Sequence, residues 1–176
     1  MCDLETLATT ADAVILSIGA VRFDLESGEI DDGGFYASIS IDSNLDLKRR
    51  ISEDTLIWWL KQGSAAQGVF HEPKQTLGMA LTSFSDWLGD RDCHMWSNGA
   101  DFDLPMLAHA YTQLGMEVPW LFWNSNCFRT YKKLPGAKAN MVSHAGVKHN
   151  ALSDAHNQVQ SLQRIHRALF MKQAAA

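Results

Sequence analysis

MCDLETL, residues 1–7, sets the problem that the rest of the chain has to answer. Asp3 and Glu5 stand on either side of Leu4. In an extended strand successive side chains point to opposite faces, so the two carboxylates share one face while Leu4 enters the other. Neighbouring carboxylates on one face repel each other unless a cation lies between them or water solvates them. A frayed, solvated chain end is the plainer reading of the pattern. The motif alone is a weak sign of function.

Composition narrows the classes. A chain of 176 residues, 46% hydrophobic and 20% charged, suits one globular domain with a full core. No run has the apolar length of a bilayer span, and the start lacks a basic region followed by an apolar one, so a cytoplasmic protein with no membrane partner is expected. Cys2, Cys93 and Cys127 are odd in number and unpatterned, which argues for reduced thiols over a disulfide framework or a zinc site. The formal net charge of −5 advertises no polyanion partner. A nucleic-acid ligand would need local cations or bound metal to overcome that deficit.

Periodicity places the elements. Residues 13–24, AVILSIGAVRFD, are β-branched and bounded by polar residues, which predicts a strand. The turn ESGE (Glu26 to Glu29) then implies a hairpin to a second strand near Phe35 to Ile41, with MCDLET as a short strand beside them. Ser52 opens a helix through DTLIWWLKQ that Gly63 stops. Residues 75–89 carry a helical apolar stripe through Leu77, Leu81, Phe84 and Leu88. A strand over 92–98 precedes a helix from about Pro105, closed by Gly115. CFRTYKKL reads equally as strand or helix. The last helix starts near Asn150 and buries Leu152, Ala155, Val159, Leu162, Ile165 and Leu169. Three early strands followed by interleaved helices and strands predict an α/β sheet of mixed direction, with about five strands flanked by helices.

Two further stretches carry titratable groups. In SNGADFDLPML, Asp103 lies just ahead of the Pro105 helix, where the macrodipole favours negative charge. A capping aspartate is the plainer reading of it, and Asp101 is expected to face solvent. In KHNALSDAHNQ, an N-cap at Asn150 makes His149 the N′ residue and Asp154 the fourth helical residue. Those are the positions that a hydrophobic staple brings together, so an imidazole and a carboxylate should approach each other there. An ordinary cap with a surface ion pair explains the pattern equally well. His149 and His156 are too far apart on the helix for an i, i+4 zinc pair.

The order of the three motifs is more specific than any one of them. D-x-E on an early strand, N-x₃-F-D at a helix start and H-x₄-D at a late helix start resemble the DEDDh 3′–5′ exonucleases of the DnaQ-like family. The resemblance runs from Asp3 to about Leu169. MCDLETL, AVILSIGAVRFD, TLIWWLKQ, NGADFDLPML, CFRT and HNALSDA look like the branch near exodeoxyribonuclease VIII and the Rv2179c-type exoribonucleases. It implies an RNase H-like fold over residues 1–176 and 3′–5′ hydrolysis of single-stranded DNA or RNA. It also implies metal-binding acids Asp3, Glu5, Asp103 and Asp154, a general base His149, and a homodimer. Two departures stand out: relatives usually begin the first strand several residues before the D-x-E, and Ala8 occupies a position where glycine is common.

The chemistry suits that residue set. Phosphodiester hydrolysis builds negative charge on the phosphoryl and leaving oxygens, and two divalent ions can clamp both oxygens. Four carboxylates offset the charge of two such ions, and oxygen ligands suit Mg²⁺ or Mn²⁺. A histidine takes a water proton near neutral pH. Trp58 and Trp59 point roughly 100° apart on a helix, so one can be core while the other stacks on a base, with Gln62 one turn further along. Arg129 offers a phosphate contact. Leu4, Thr6, Asn98 and Phe102, which flank the acids, complete the expected substrate-binding set. The competing classes are a catalytically silent nucleic-acid-binding module on the same fold, which should lack one of the five motif residues, and a phosphohydrolase acting on free nucleotides.

Overall fold

The structure is a computed structural model and describes residues 1–31 and 33–171. Strand β1 (Cys2–Thr6) pairs antiparallel with β2 (Ile15–Ala20), which pairs antiparallel with β3 (Phe35–Ser38). The turn at ESGE forms as expected. Asp24 Oδ1 accepts the Glu26 and Ser27 N–H groups, and Gly28 supplies the positive φ of 81°. β2 is buried along its whole length. Its apolar run is therefore that of a strand covered on both sides.

After β3 come the short helix α1 (Ile41–Leu45) and α2 (Glu53–Leu60), which starts after Ser52 as its composition predicts. Next are a single turn, α3 (Ser64–Gln67), and α4 (Leu77–Leu88), capped by the Thr76 hydroxyl on the Met79 N–H. β4 (Met95–Ser97) is shorter than the expected 92–98 and lies beside β1. Helix α5 (Asp103–Gln113) begins two residues ahead of Pro105. β5 (Ser125–Cys127) pairs parallel with β4 and passes directly into α6 (Phe128–Tyr131), so CFRTYKKL is strand at its first residue, helix from its second to its fifth and turn beyond. The long α7 (Ala151–His166) is capped by the Asn150 side chain on the Ser153 N–H.

The expected five-strand sheet is corrected in one respect. Among the described residues the five strands form a three-stranded antiparallel ladder and a two-stranded parallel one. β1 and β4 lie side by side without pairing, and the Leu4 N–H on that strand goes to the Asp103 carboxylate. Both strand directions are present, so the mixed α/β class stands.

Packing explains the alternation in MCDLETL. Leu4 and Ile18 face a core with Leu81, Phe84 and Leu107 of α4 and α5. On the other side, α7 lays Ala155, Val159, Leu162 and Ile165 against Val21 and Phe128. That is the helical stripe read from the sequence. Asp3 and Glu5 pair in register with Gly19 and Ser17, and α7 crosses directly over Gly19. The absence of a side chain at 19 brings the start of α7, and with it Asp154, down to the acids of β1.

Candidate active site

A cleft of about 600 Å³ opens over β1, walled by α2, the loop before α5, Arg129 and the start of α7. Asp3 and Glu5 reach it from the strand, Asp103 from the first residue of α5, and His149 and Asp154 from either side of the Asn150 cap. Asp103 is only 2% exposed and accepts the Leu4 N–H at 3.1 Å. It therefore ties α5 to β1, which corrects the capping role that its position suggested. Asp101 is exposed, as expected.

His149 has φ 61°, a conformation rare for a residue with a side chain. Its backbone N–H donates to Asp154 Oδ2 at 2.9 Å, and its ring stands edge-on to Trp58 with centroids 4.7 Å apart. The staple geometry thus brings the two residues together through the His149 backbone, while the imidazole points into the cleft. Glu5, His149 and Asp154 each offer a ligand atom, and these atoms lie within 4.8 Å of one another.

Burial sets the electrostatics. The Asp3 carboxyl is pushed well above the usual carboxylate range by burial and then by the charges of Asp103, Glu5 and Asp154. Glu5 is raised to about 8 by burial, with Asp154 and Asp103 adding to it. Asp103 is raised to about 6 by burial, against the opposing pull of the Leu4 N–H and Arg129. Carboxylates gathered this closely in a low-dielectric cleft favour a bound cation, and Glu5, His149 and Asp154 are the residues whose ligand atoms could hold one together.

The remaining expected residues divide. Trp58 is 40% exposed and lines the cleft, while Trp59 is 1% exposed and donates its indole N–H to the Thr6 carbonyl at 2.8 Å. Trp59 is a core residue that supports β1, which corrects its assignment to the substrate surface. Gln62 is corrected likewise: its amide turns back onto the Trp58 carbonyl and does not line the cleft. Leu4, Thr6, Asn98, Phe102 and Arg129 all line it. The Arg129 guanidinium lies against Gly99, where a Cβ would sit 3.3 Å from Nη2. Lys132 donates to Asn98 Oδ1 at 2.7 Å and steadies that wall.

Three contacts escaped the sequence reading. Gln158 donates to Asp3 Oδ1 at 2.7 Å, and its position one helical turn past Asp154 was the available signal. His144 Nε2 lies 2.6 Å from Asp154 Oδ1, from a loop with no periodicity to reveal it. Asp54 and Thr55, in the first turn of α2, line the cleft opposite.

The 3′–5′ exoribonuclease Rv2179c-like domain matches residues 1–166. The chain belongs to that family. Among solved structures, the Rv2179c-like chain is similar to cell-death related nuclease 4 (CRN-4), with a TM-score of 0.62 and 12% identity over 96% of this chain. At that identity the likeness is one of fold, and the matched region is 64% of the CRN-4 chain. Comparison with curated proteins found no match. The acids and His149 are thus carried by an Rv2179c-like chain on a nuclease fold.

Proposed function

We propose that this chain is a metal-dependent 3′–5′ exonuclease that removes nucleotides from single-stranded ends. RNA is the first substrate to test, given the family, and DNA the second. The observation that carries the reading is the convergence of Asp3, Glu5, Asp103, His149 and Asp154, from β1, α5, α7 and the loop before α7, on one cleft.

Asp3, Glu5, Asp103 and Asp154 would hold two Mg²⁺ or Mn²⁺ ions. When bound, those ions offset charge on the scissile phosphate and lower the pKa of a water molecule. The chain's own residues do the rest. His149, held beside Asp154 by its backbone, takes the proton of the attacking water. Trp58 offers an exposed indole on which a terminal base stacks without regard to sequence. Arg129 balances phosphate charge at the cleft wall, which an overall acidic chain needs locally. The retention of all five motif residues supports an enzyme over a silent binding module. The reading includes a single domain acting as a cytoplasmic homodimer.

The test is a degradation assay with end-labelled single-stranded RNA and DNA, in Mg²⁺, Mn²⁺ or chelator. Stepwise shortening from the 3′ end, abolished by chelator and by a 3′ block but not by a 5′ block, is expected. Cleavage of a closed circle, full activity without metal, or turnover of free nucleotides alone would each reject it.

A further inference from the structure

The loop before α7 is fastened to that helix by polar contacts on successive turns. The Val142 N–H donates to Ser161 Oγ at 3.3 Å. Asn157 binds Ala145 on both sides, accepting its N–H and donating to its carbonyl, each at 2.7 Å. At the next turn towards the cleft, His144 Nε2 meets Asp154 Oδ1 at 2.6 Å. Gly146, with φ 82°, makes the bend that lets the chain return to His149.

A carboxylate oxygen accepts, so at 2.6 Å His144 Nε2 is the donor whether the ring is neutral or charged. The Asn157 amide, 3.3 Å from the same nitrogen, directs its hydrogens to the Ala145 and Ser153 carbonyls. Asp154 then receives one hydrogen bond on each oxygen, Oδ1 from His144 and Oδ2 from the His149 backbone. The two donors leave its remaining lone pairs for a cation and hold the carboxylate plane still. The His144 and Asp154 side chains are 23% and 19% exposed, so water competes only partly for the bond.

We propose that His144 is a positioning residue that orients Asp154 for divalent metal, a proposal that rests on the metal-dependent reading above. Partners of this kind are typically worth about 10–100-fold in metal affinity or activity. The test is isothermal titration of Mn²⁺ into the whole chain and its His144→Ala, His144→Gln and Asp154→Asn variants, with metal-free melting of each. His144→Ala should bind Mn²⁺ about 10–100-fold more weakly. His144→Gln, whose amide can still donate, should recover most of the affinity. Parent affinity in His144→Ala beside a clear loss in Asp154→Asn overturns the positioning role and leaves the site reading intact. Equal losses in His144→Ala and His144→Gln overturn it too, because they indicate loop damage. Unchanged binding in Asp154→Asn rejects the metal site and this proposal with it.

Discussion

Gly19 of β2 lies directly beneath the first peptide of α7, so closely that a Cβ at 19 would fall 2.2 Å from the Ala151 carbonyl carbon. The obstacle is backbone, which cannot rotate away as a side chain can. Gly19→Ala is therefore expected to cost at least the ~1–3 kcal/mol of ordinary overpacking. It should also lift Asp154 off the β1 acids and lower activity beyond the stability loss. Urea denaturation and single-turnover cleavage check both; parent values for the two would show that α7 tolerates the shift.

The buried acids give the metal-free protein a pH dependence of unusual sign. Glu5 is raised from 4.5 to about 8 and Asp103 from 3.8 to about 6, so folding favours their protonated forms. The unfolded chain then binds fewer protons between these values. Stability should fall as pH rises from about 4.5 towards 8, the reverse of a salt-bridged carboxylate. Melting in chelator between pH 5 and 8 should show the decline, and Mn²⁺ should flatten it. A flat profile in chelator would mean that the acids are already compensated.

Asp103→Asn removes one charge from the same cluster but keeps an acceptor for the Leu4 N–H. It should weaken Mn²⁺ binding and cut turnover severely, while leaving metal-free stability unchanged or raised. Titration calorimetry and melting on one preparation check the pair. Loss of stability in chelator would instead mark Asp103 as a structural tie alone.

His149→Ala should slow the chemical step by ~10²–10⁴-fold, the usual size of a general base's contribution. Oligonucleotide affinity should change little, because the four acids and Trp58 remain. Turnover near the parent's would remove His149 from the mechanism and leave its positive φ to be explained by chain direction alone.

The adjacent tryptophans should behave oppositely. Trp59, 1% exposed and bonded to the Thr6 carbonyl, should cost ~3–5 kcal/mol of stability when replaced by Ala. Trp58→Ala should cost less stability and weaken single-strand binding by ~1–3 kcal/mol. Equal effects of both on binding would place the base platform elsewhere.

Local pattern was enough for much of this protein. The 3.6-residue stripe of α7, the Asn150 cap, the start of α2 after Ser52 and the turn at ESGE are properties of neighbouring residues, and they appear where the sequence predicts, although the Ser52 side chain makes no capping hydrogen bond. The order of D-x-E, F-D and H-x₄-D points to five residues through its resemblance to the DEDDh exonucleases, and all five line the cleft. Strand ends were less legible: β2 and β4 stop short of their apolar runs because ladder pairing, not composition, ends a strand.

Other features depend on partners far away in the chain. Nothing local separates Trp58 from Trp59. Burial of the second follows from its packing against Leu7, Leu16 and Val69, where its indole N–H meets the Thr6 carbonyl, 53 residues earlier. Asp103 caps its helix by sequence logic, yet its carboxylate serves Leu4 across 99 residues. Gln158 and His144 become site residues only once α7 lies on Gly19 and the preceding loop folds back along α7. Periodicity reports which face a residue occupies on its own element. Which other element that face meets is set by the packing of the whole chain.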